Sequence, residues 1–224
     1  NLIIDDELKS KKVNSVSNYY KIKKISEREI SNFFFDVVFI TSPIYKHLDD
    51  AIRFAKLGSN LFIEKPISNN LEKINTLRKI AKKKKITICV GYQLRFHPGI
   101  QFIKKNIKEF GKLISGSFHF GEYLPNMHKY EDYRKTHMAK KKEGGGAVLC
   151  LSHEVDLLRY ILGDPKIIKT SISKISNLNI DVEDTLEAQL MIKKKSSINL
   201  KINFLENPPI HFIALVFEKK KIIW

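Results

Sequence analysis

The sequence predicts an α/β fold in which an incomplete, doubly wound parallel sheet is followed by an α+β domain with a large open, mainly antiparallel sheet. Three observations carry this. From Leu2 to Tyr92 short apolar runs alternate with amphipathic helical stretches, the rhythm of parallel strands joined by crossover helices. After Pro165 the pattern changes to alternating apolar and polar residues in short segments, which read as antiparallel strands and hairpins. Between the two, the run from Gly144 to Leu162 is a single strongly apolar helical stretch. The halves meet near Gln93 to His97, which gives domains 1–93 and 94–224.

The elements follow in order. LIID (Leu2 to Asp5) is a strand ending in acid, and a polar helix is expected from about Asp6 to Val16. DVVFITSP (Asp36 to Pro43) is apolar throughout, as a strand covered on both faces would be. Tyr45 to Leu57 carries Leu48, Ile52 and Ala55 at helical spacing, with Gly58 as its stop. LFIEKP (Leu61 to Pro66) is a buried strand that stops at its charges, because Pro66 cannot extend the hydrogen-bond ladder. Pro66 also keeps Lys65 out of the helical region, so the lysine is held extended at the carboxyl edge of the sheet, where open α/β sheets bind ligands. Solvated residues at a strand end would look the same, and the eight residues LFIEKPIS (Leu61 to Ser68) alone do not separate the readings. Asn70 offers an N-cap for a helix with Leu71, Ile74, Leu77 and Ile80 on one side, and Ile86 to Tyr92 returns as a buried strand. A helix from about Pro98 to Phe110, a strand through GKLISGSFHFGEYL, a polar and aromatic loop from Pro125 to Glu143, and a helix from Gly144 to Leu162 precede four strands at 167–175, 185–192, 197–204 and 210–224.

Composition narrows the function classes. With 224 residues, 43% of them hydrophobic and 29% charged, the chain is long enough for one large or two modest cores. Its net charge of +16 is almost all lysine, gathered at predicted element ends such as Lys82 to Lys85, Lys193 to Lys195 and Lys219 to Lys221. No recognition helix, RNA-binding sheet signature or zinc spacing accompanies that charge, so a nucleic-acid partner is not expected. Cys89 and Cys150 lie far apart in apolar settings, which argues for reduced, buried thiols and a cytoplasmic chain. HEVDL at His153 lacks the second histidine of a zinc protease helix, and no metal is expected. No apolar run approaches the ~20 residues a membrane helix needs.

Taken together, DVVFITSP with its following histidine, LFIEKP, VGYQLRFHP and GGGAVLCLSHEVDLLRYILG stand in a familiar order and at familiar distances over nearly the whole chain. The sequence resembles the Gfo/Idh/MocA oxidoreductases, the glucose–fructose oxidoreductase and inositol dehydrogenase group. The resemblance implies a Rossmann-like dinucleotide-binding domain, a C-terminal α/β substrate and oligomerisation domain, and a nicotinamide cofactor between them. Substrates of such proteins are mostly sugars, cyclitols, nucleotide sugars and related polyols, and the loop YLPNMHKYEDYRK before GGG is similar to a branch found in surface-glycan biosynthesis. In many members the EKP proline follows a cis peptide. The C-terminal sheet is expected to leave an apolar face that members bury against another subunit, hence a homo-oligomer.

The chain departs from the family pattern in three places. No glycine precedes Gly58, so the phosphate-cradling turn after a first strand is absent, and the final strand breaks off at IIW. The chain therefore reads as a fragment of a protein of about 300 residues, two domains of about 150 each. Cys150 stands where many members carry an aspartate.

Hydride transfer between a carbinol carbon and nicotinamide leaves one proton to move, which calls for a positioned acid or base. By resemblance, Lys65 hydrogen-bonds the reacting oxygen and His153 exchanges the proton. Asp156, three residues from His153 on one helix face, either orients the imidazole or bonds an arginine such as Arg159 or Arg95. Asp5, or Asp6 beside it, stands where an acid accepts the ribose hydroxyls, which favours NAD while leaving NADP open. Thr41, Ser42 and Pro43 are expected to line the dinucleotide with His47 behind them, and Glu64 and Gln93 to lie at the nicotinamide end. Arg95 and His97 are candidates either for a substrate contact or for an interdomain salt bridge. Tyr123, His128, Tyr130, Tyr133 and Arg134 sit on the loop facing a sugar-like substrate. The alternative from another class is a cofactor-binding relative without turnover, since fold alone does not establish activity.

Overall fold

A computed structural model describes residues 2–4 and 17–224; the helix expected at 6–16 and the candidate Asp5 lie outside the described residues. Among the described residues there are two parallel sheets and one large mixed sheet. In the first, β1 (Leu2–Ile4) pairs in parallel with β2 (Lys23–Ile25). The second has the order β3 (Val37–Ile40), β4 (Asn60–Ile63), β5 (Ile88–Val90), also parallel. A doubly wound sheet of order 3-2-1-4-5-6 has both of these groups on either side of one central strand, and that strand has no counterpart among the described residues.

Crossover helices explain the parallel pairing. Helix α1 (His47–Leu57) buries His47, Leu48, Ala51, Phe54 and Ala55, a stripe at helical spacing, against β3 and β4. Gly58 ends it at φ 93°, a left-handed conformation that glycine adopts without strain. Helix α2 (Ile74–Lys84) begins later than expected. Asn70 accepts from the Glu72 N–H and the Asn70 N–H donates to Ser68, so these side chains cap a turn and leave Leu71 83% exposed. Cys89, expected to be buried, is exposed on the face of the sheet that also carries Phe39. Strand alternation puts it opposite the helix-covered side.

The second half is built on a six-stranded sheet of order β11, β10, β6, β9, β8, β7, running β6 (Leu113–Gly121), β7 (Lys166–Ser173), β8 (Thr185–Ile192), β9 (Ser196–Asn203), β10 (Ile210–Phe217) and β11 (Lys221–Ile223). Its pairs are antiparallel except β6 with β9, which run in parallel. The stretch expected as one strand at 210–224 is a hairpin. Phe118, Ile198, Leu200, Ile202, Ile213 and Leu215 fill one face, each side chain contributing about 1.5–3 kcal/mol by its burial. Helix α3 (Pro98–Asn106), the short α4 (Leu124–Met127), and the pair α5 (Ala147–Cys150) and α6 (His153–Leu162) cover that face. The expected single helix from Gly144 to Leu162 is thus two. Gly146 stays extended at φ 106°, where a β-carbon would run into the Glu183 carboxylate, and the chain turns at Leu151. The opposite face, expected to be apolar, is mixed: Glu187 faces Lys201 and Gln189 faces Asn199 across β8 and β9, while β10 carries Phe212, Ala214 and Val216 there.

Candidate active site

The carboxyl ends of β4 and β5 meet the segment from α5 to the start of α6. Lys65 leaves the end of β4 through a turn in which the Lys65–Pro66 peptide is cis, as the resemblance implies. Its N–H donates to Glu64 Oε2 at 3.2 Å, and its Nζ donates to the carbonyl oxygen of Cys150 at 2.5 Å, on α5 of the other half. Burial holds the amine below the ordinary lysine range, because a desolvated ammonium is disfavoured. The tether is to the Cys150 backbone, so it does not depend on the side chain there. The thiol, 7% exposed, is pushed up by burial to about 12 and stays neutral.

His153 opens α6 with 8% of its surface exposed. Burial, and after it the Lys65 charge, hold its pKa down at about 4, so the ring is neutral near pH 7. Nδ1 is buried without a hydrogen-bond partner, and so is Oγ of the adjacent Ser152. A buried imidazole nitrogen left open is costly in a finished core. It suits a site that binds a hydroxyl-bearing ligand.

Asp156 does not orient this ring. Its Oδ2 and Oδ1 accept from Arg95 Nε at 2.8 Å and Arg95 Nη2 at 2.5 Å, a two-pronged pair. Arg95, offered as a substrate contact, is thereby committed, with Tyr92 and Tyr160 flanking its guanidinium at 5.8 and 5.1 Å. His97 caps α3: its Nδ1 accepts from Gly99 N–H and from Trp224 Nε1, each at 3.1 Å. The substrate-loop candidates are also engaged. Tyr133 Oη accepts from the Asn179 N–H at 3.3 Å, Arg134 pairs with Asp132 at 2.8 Å, His128 pairs with Glu131 at 2.9 Å and stacks on Tyr130, and Tyr123 packs against the C-terminal core.

Along the expected cofactor edge, Thr41 and Pro43 are exposed, Ser42 Oγ donates to Asp50 at 2.6 Å, Glu64 is half-buried and Gln93 is exposed. His47 lies behind that edge. It is 1% exposed, with both ring nitrogens against backbone carbonyls.

The structure adds two residues that the sequence reading passed over. Tyr92, at the end of β5, meets the His153 ring edge-on at 5.8 Å; burial raises its phenol above the ordinary tyrosine range. His137, half-buried on the loop before GGG, is held below the ordinary histidine range by burial first and in part by the Lys65 charge. Tyr92 was visible as the residue ending a strand at the sheet's carboxyl edge. His137 carried no spacing signal.

Family models match on both sides of this site. The model described as the oxidoreductase family with an NAD-binding Rossmann fold matches residues 3–92, and the GFO/IDH/MocA C-terminal domain matches residues 102–222. The chain belongs to the GFO/IDH/MocA oxidoreductase family. Among curated members it is 28% identical over 137 residues to the 2,7-anhydro-N-acetylneuraminate hydratase of Escherichia coli K12, covering 60% of this chain and 36% of that protein. It is 27% identical over 141 residues to the inositol 2-dehydrogenase of Rhizobium meliloti, covering 62% and 40%. The WlbA dehydrogenase of Bordetella pertussis, solved in complex with NADH and UDP-GlcNAcA, superposes with a TM-score of 0.86 at 21% identity over 99% of this chain and 64% of its own. That likeness shows the shared fold. The chain aligns with well under half the length of these curated relatives.

Proposed function

We propose that the protein is an NAD-dependent oxidoreductase that moves a hydride between nicotinamide and the hydroxyl-bearing or keto carbon of a sugar, nucleotide sugar or cyclitol. The observation that carries this is the meeting of a desolvated Lys65 amine with the buried, unpartnered His153 ring at the carboxyl edge of a parallel sheet. Membership in a family whose first domain is described as NAD-binding supports it.

The residues present fit a dinucleotide. Thr41, Ser42 and Pro43 at the end of β3, Glu64 and Lys65 after β4, and Gln93 after β5 would hold it along the edge, within a dinucleotide unit spanning 1–93, while 94–224 would hold the substrate. Bound NAD supplies the hydride acceptor at the carbinol carbon. In alcohol oxidation the Lys65 ammonium donates a hydrogen bond to the substrate oxygen and stabilises the negative charge that develops there. His153, neutral near pH 7, accepts the hydroxyl proton. In the reverse direction the imidazolium returns it. Tyr92, edge-on to the ring at 5.8 Å, shields it from water. A cytoplasmic setting and homo-oligomerisation through the open C-terminal sheet complete the proposal.

The test is a turnover screen over polyols, cyclitols and nucleotide sugars, following NADH and, because one relative is named a hydratase, water addition as well. NAD-linked turnover that disappears in Lys65→Met and His153→Asn supports the reading. A cofactor-binding relative without turnover is the alternative, and NADH binding with no chemistry in any arm would favour it.

A further inference from the structure

His47 holds the first position of α1, and its ring spans the two loops at the carboxyl edge of the parallel sheet. Nδ1 lies 2.8 Å from the carbonyl oxygen of Pro66, and Nε2 lies 2.7 Å from that of Ser42. A neutral imidazole donates through one nitrogen and a protonated one through both, so in either state the ring supplies a donor to these loops. Burying an imidazole this completely, at 1% exposure, is unfavourable unless its polar atoms are bonded. A residue wanted only for core volume at this position would be apolar, as Leu48 and Ala51 beside it are.

Pro66 directly follows Lys65. On one side of the lysine the backbone is fixed by the Glu64 N–H donating to the Ile40 carbonyl at 2.9 Å. On the other side it is held by the His47 ring in the form that carries a proton on Nδ1, which donates to the Pro66 carbonyl. We propose that His47 is a positioning residue for Lys65: it anchors the carbonyl after the lysine, sets where the long side chain leaves the sheet edge, and so keeps the amine against the Cys150 carbonyl beside His153. It touches neither cofactor nor substrate and acts through Lys65. The proposal deepens the oxidoreductase reading and rests on Lys65 being its catalytic amine.

Competitive acetylation with mass-spectrometric readout, run over a pH series, tests it without cofactor or substrate. Lys65 is compared with the surface lysines of α2 in the native protein, in His47→Ala, in His47→Gln and in Leu48→Ala, whose residue is buried next to His47 in the same helix. The expected result is a labelling midpoint for Lys65 below that of the surface lysines in the native protein, raised to theirs in His47→Ala, partly restored in His47→Gln, and unmoved in Leu48→Ala. A native midpoint retained in His47→Ala overturns the positioning role and leaves the oxidoreductase reading standing. An equal rise in Leu48→Ala also overturns it, because general loosening would then explain the effect. Should His47→Ala fail to fold, His47→Gln against Leu48→Ala reads the same comparison. A native Lys65 that labels like the surface lysines removes the desolvated amine itself and overturns both readings together.

Discussion

Lowering the pH from 7 to 5 should cost the protein about 2 kcal/mol of stability through His153 alone. The ring titrates at about 4 in the folded chain, against about 6.5 for an unfolded histidine. Between these values the unfolded chain binds more protons than the folded one, so stability falls as the pH falls. The contribution is fully present above about pH 6.5 and lost progressively toward pH 4. His137 is shifted in the same direction, so the His153 share has to be isolated by difference. Asp132 and Asp184, both lowered carboxylates, act below this window. The assay is urea unfolding of the native protein and of His153→Gln at both pH values. With slopes of about 1–3 kcal/mol per molar urea, the native midpoint should fall by about 1 M more than that of the variant. Equal losses in the two proteins would refute the argument that burial and the Lys65 charge keep this ring neutral.

Three further outcomes follow from the geometry. Lys65→Met should lower kcat about 10²–10⁴-fold while leaving NADH affinity within a few-fold, since the lysine acts on the reacting oxygen; steady-state kinetics with an NADH titration checks both. Asp156→Asn should cost about 1 kcal/mol in urea unfolding, a value discounted for the 42% exposure of the Arg95 side chain, and should move the titration of His153 followed by NMR further down, because the Asp156 charge raises it. Gly146→Ala should cost about 2 kcal/mol or more in a thermal melt, since residue 146 sits at φ 106° and its β-carbon would meet Glu183.

Much of this was legible in the sequence because the signals were local. Alternating apolar runs and helical stripes located β3, α1, β4 and β5, and proline after lysine located the turn at Lys65. The lysine pairs that turn β8 into β9 and β10 into β11 stood where their charge suggested, with Lys193 and Lys194 at positive φ. What escaped was set by contacts distant in sequence. The parallel pairing of β6 with β9 depends on an insertion of about 80 residues that no periodicity reports. The start of α5 at Ala147, three residues after the expected Gly144, comes from Glu183, which caps Ala147 and Val148 through its carbonyl and carboxylate. Asp156 has two arginines within helical or spatial reach, and spacing could not say that Arg95 wins. His47 reads as a residue behind the edge, but nothing local announces that its ring would be held between two backbone carbonyls distant in sequence. Cys89 follows the alternation of β5, which a three-residue strand is too short to display.

The central claim is a nicotinamide cofactor at the edge bearing Lys65. Fluorescence titration with NADH, on this chain and on a version lengthened upstream by a strand and a glycine-bearing turn, tests it most directly. The account predicts saturable NADH binding by the lengthened form, weaker binding of NADPH, and loss of neither in Lys65→Met. Failure of both forms to bind NADH would contradict it.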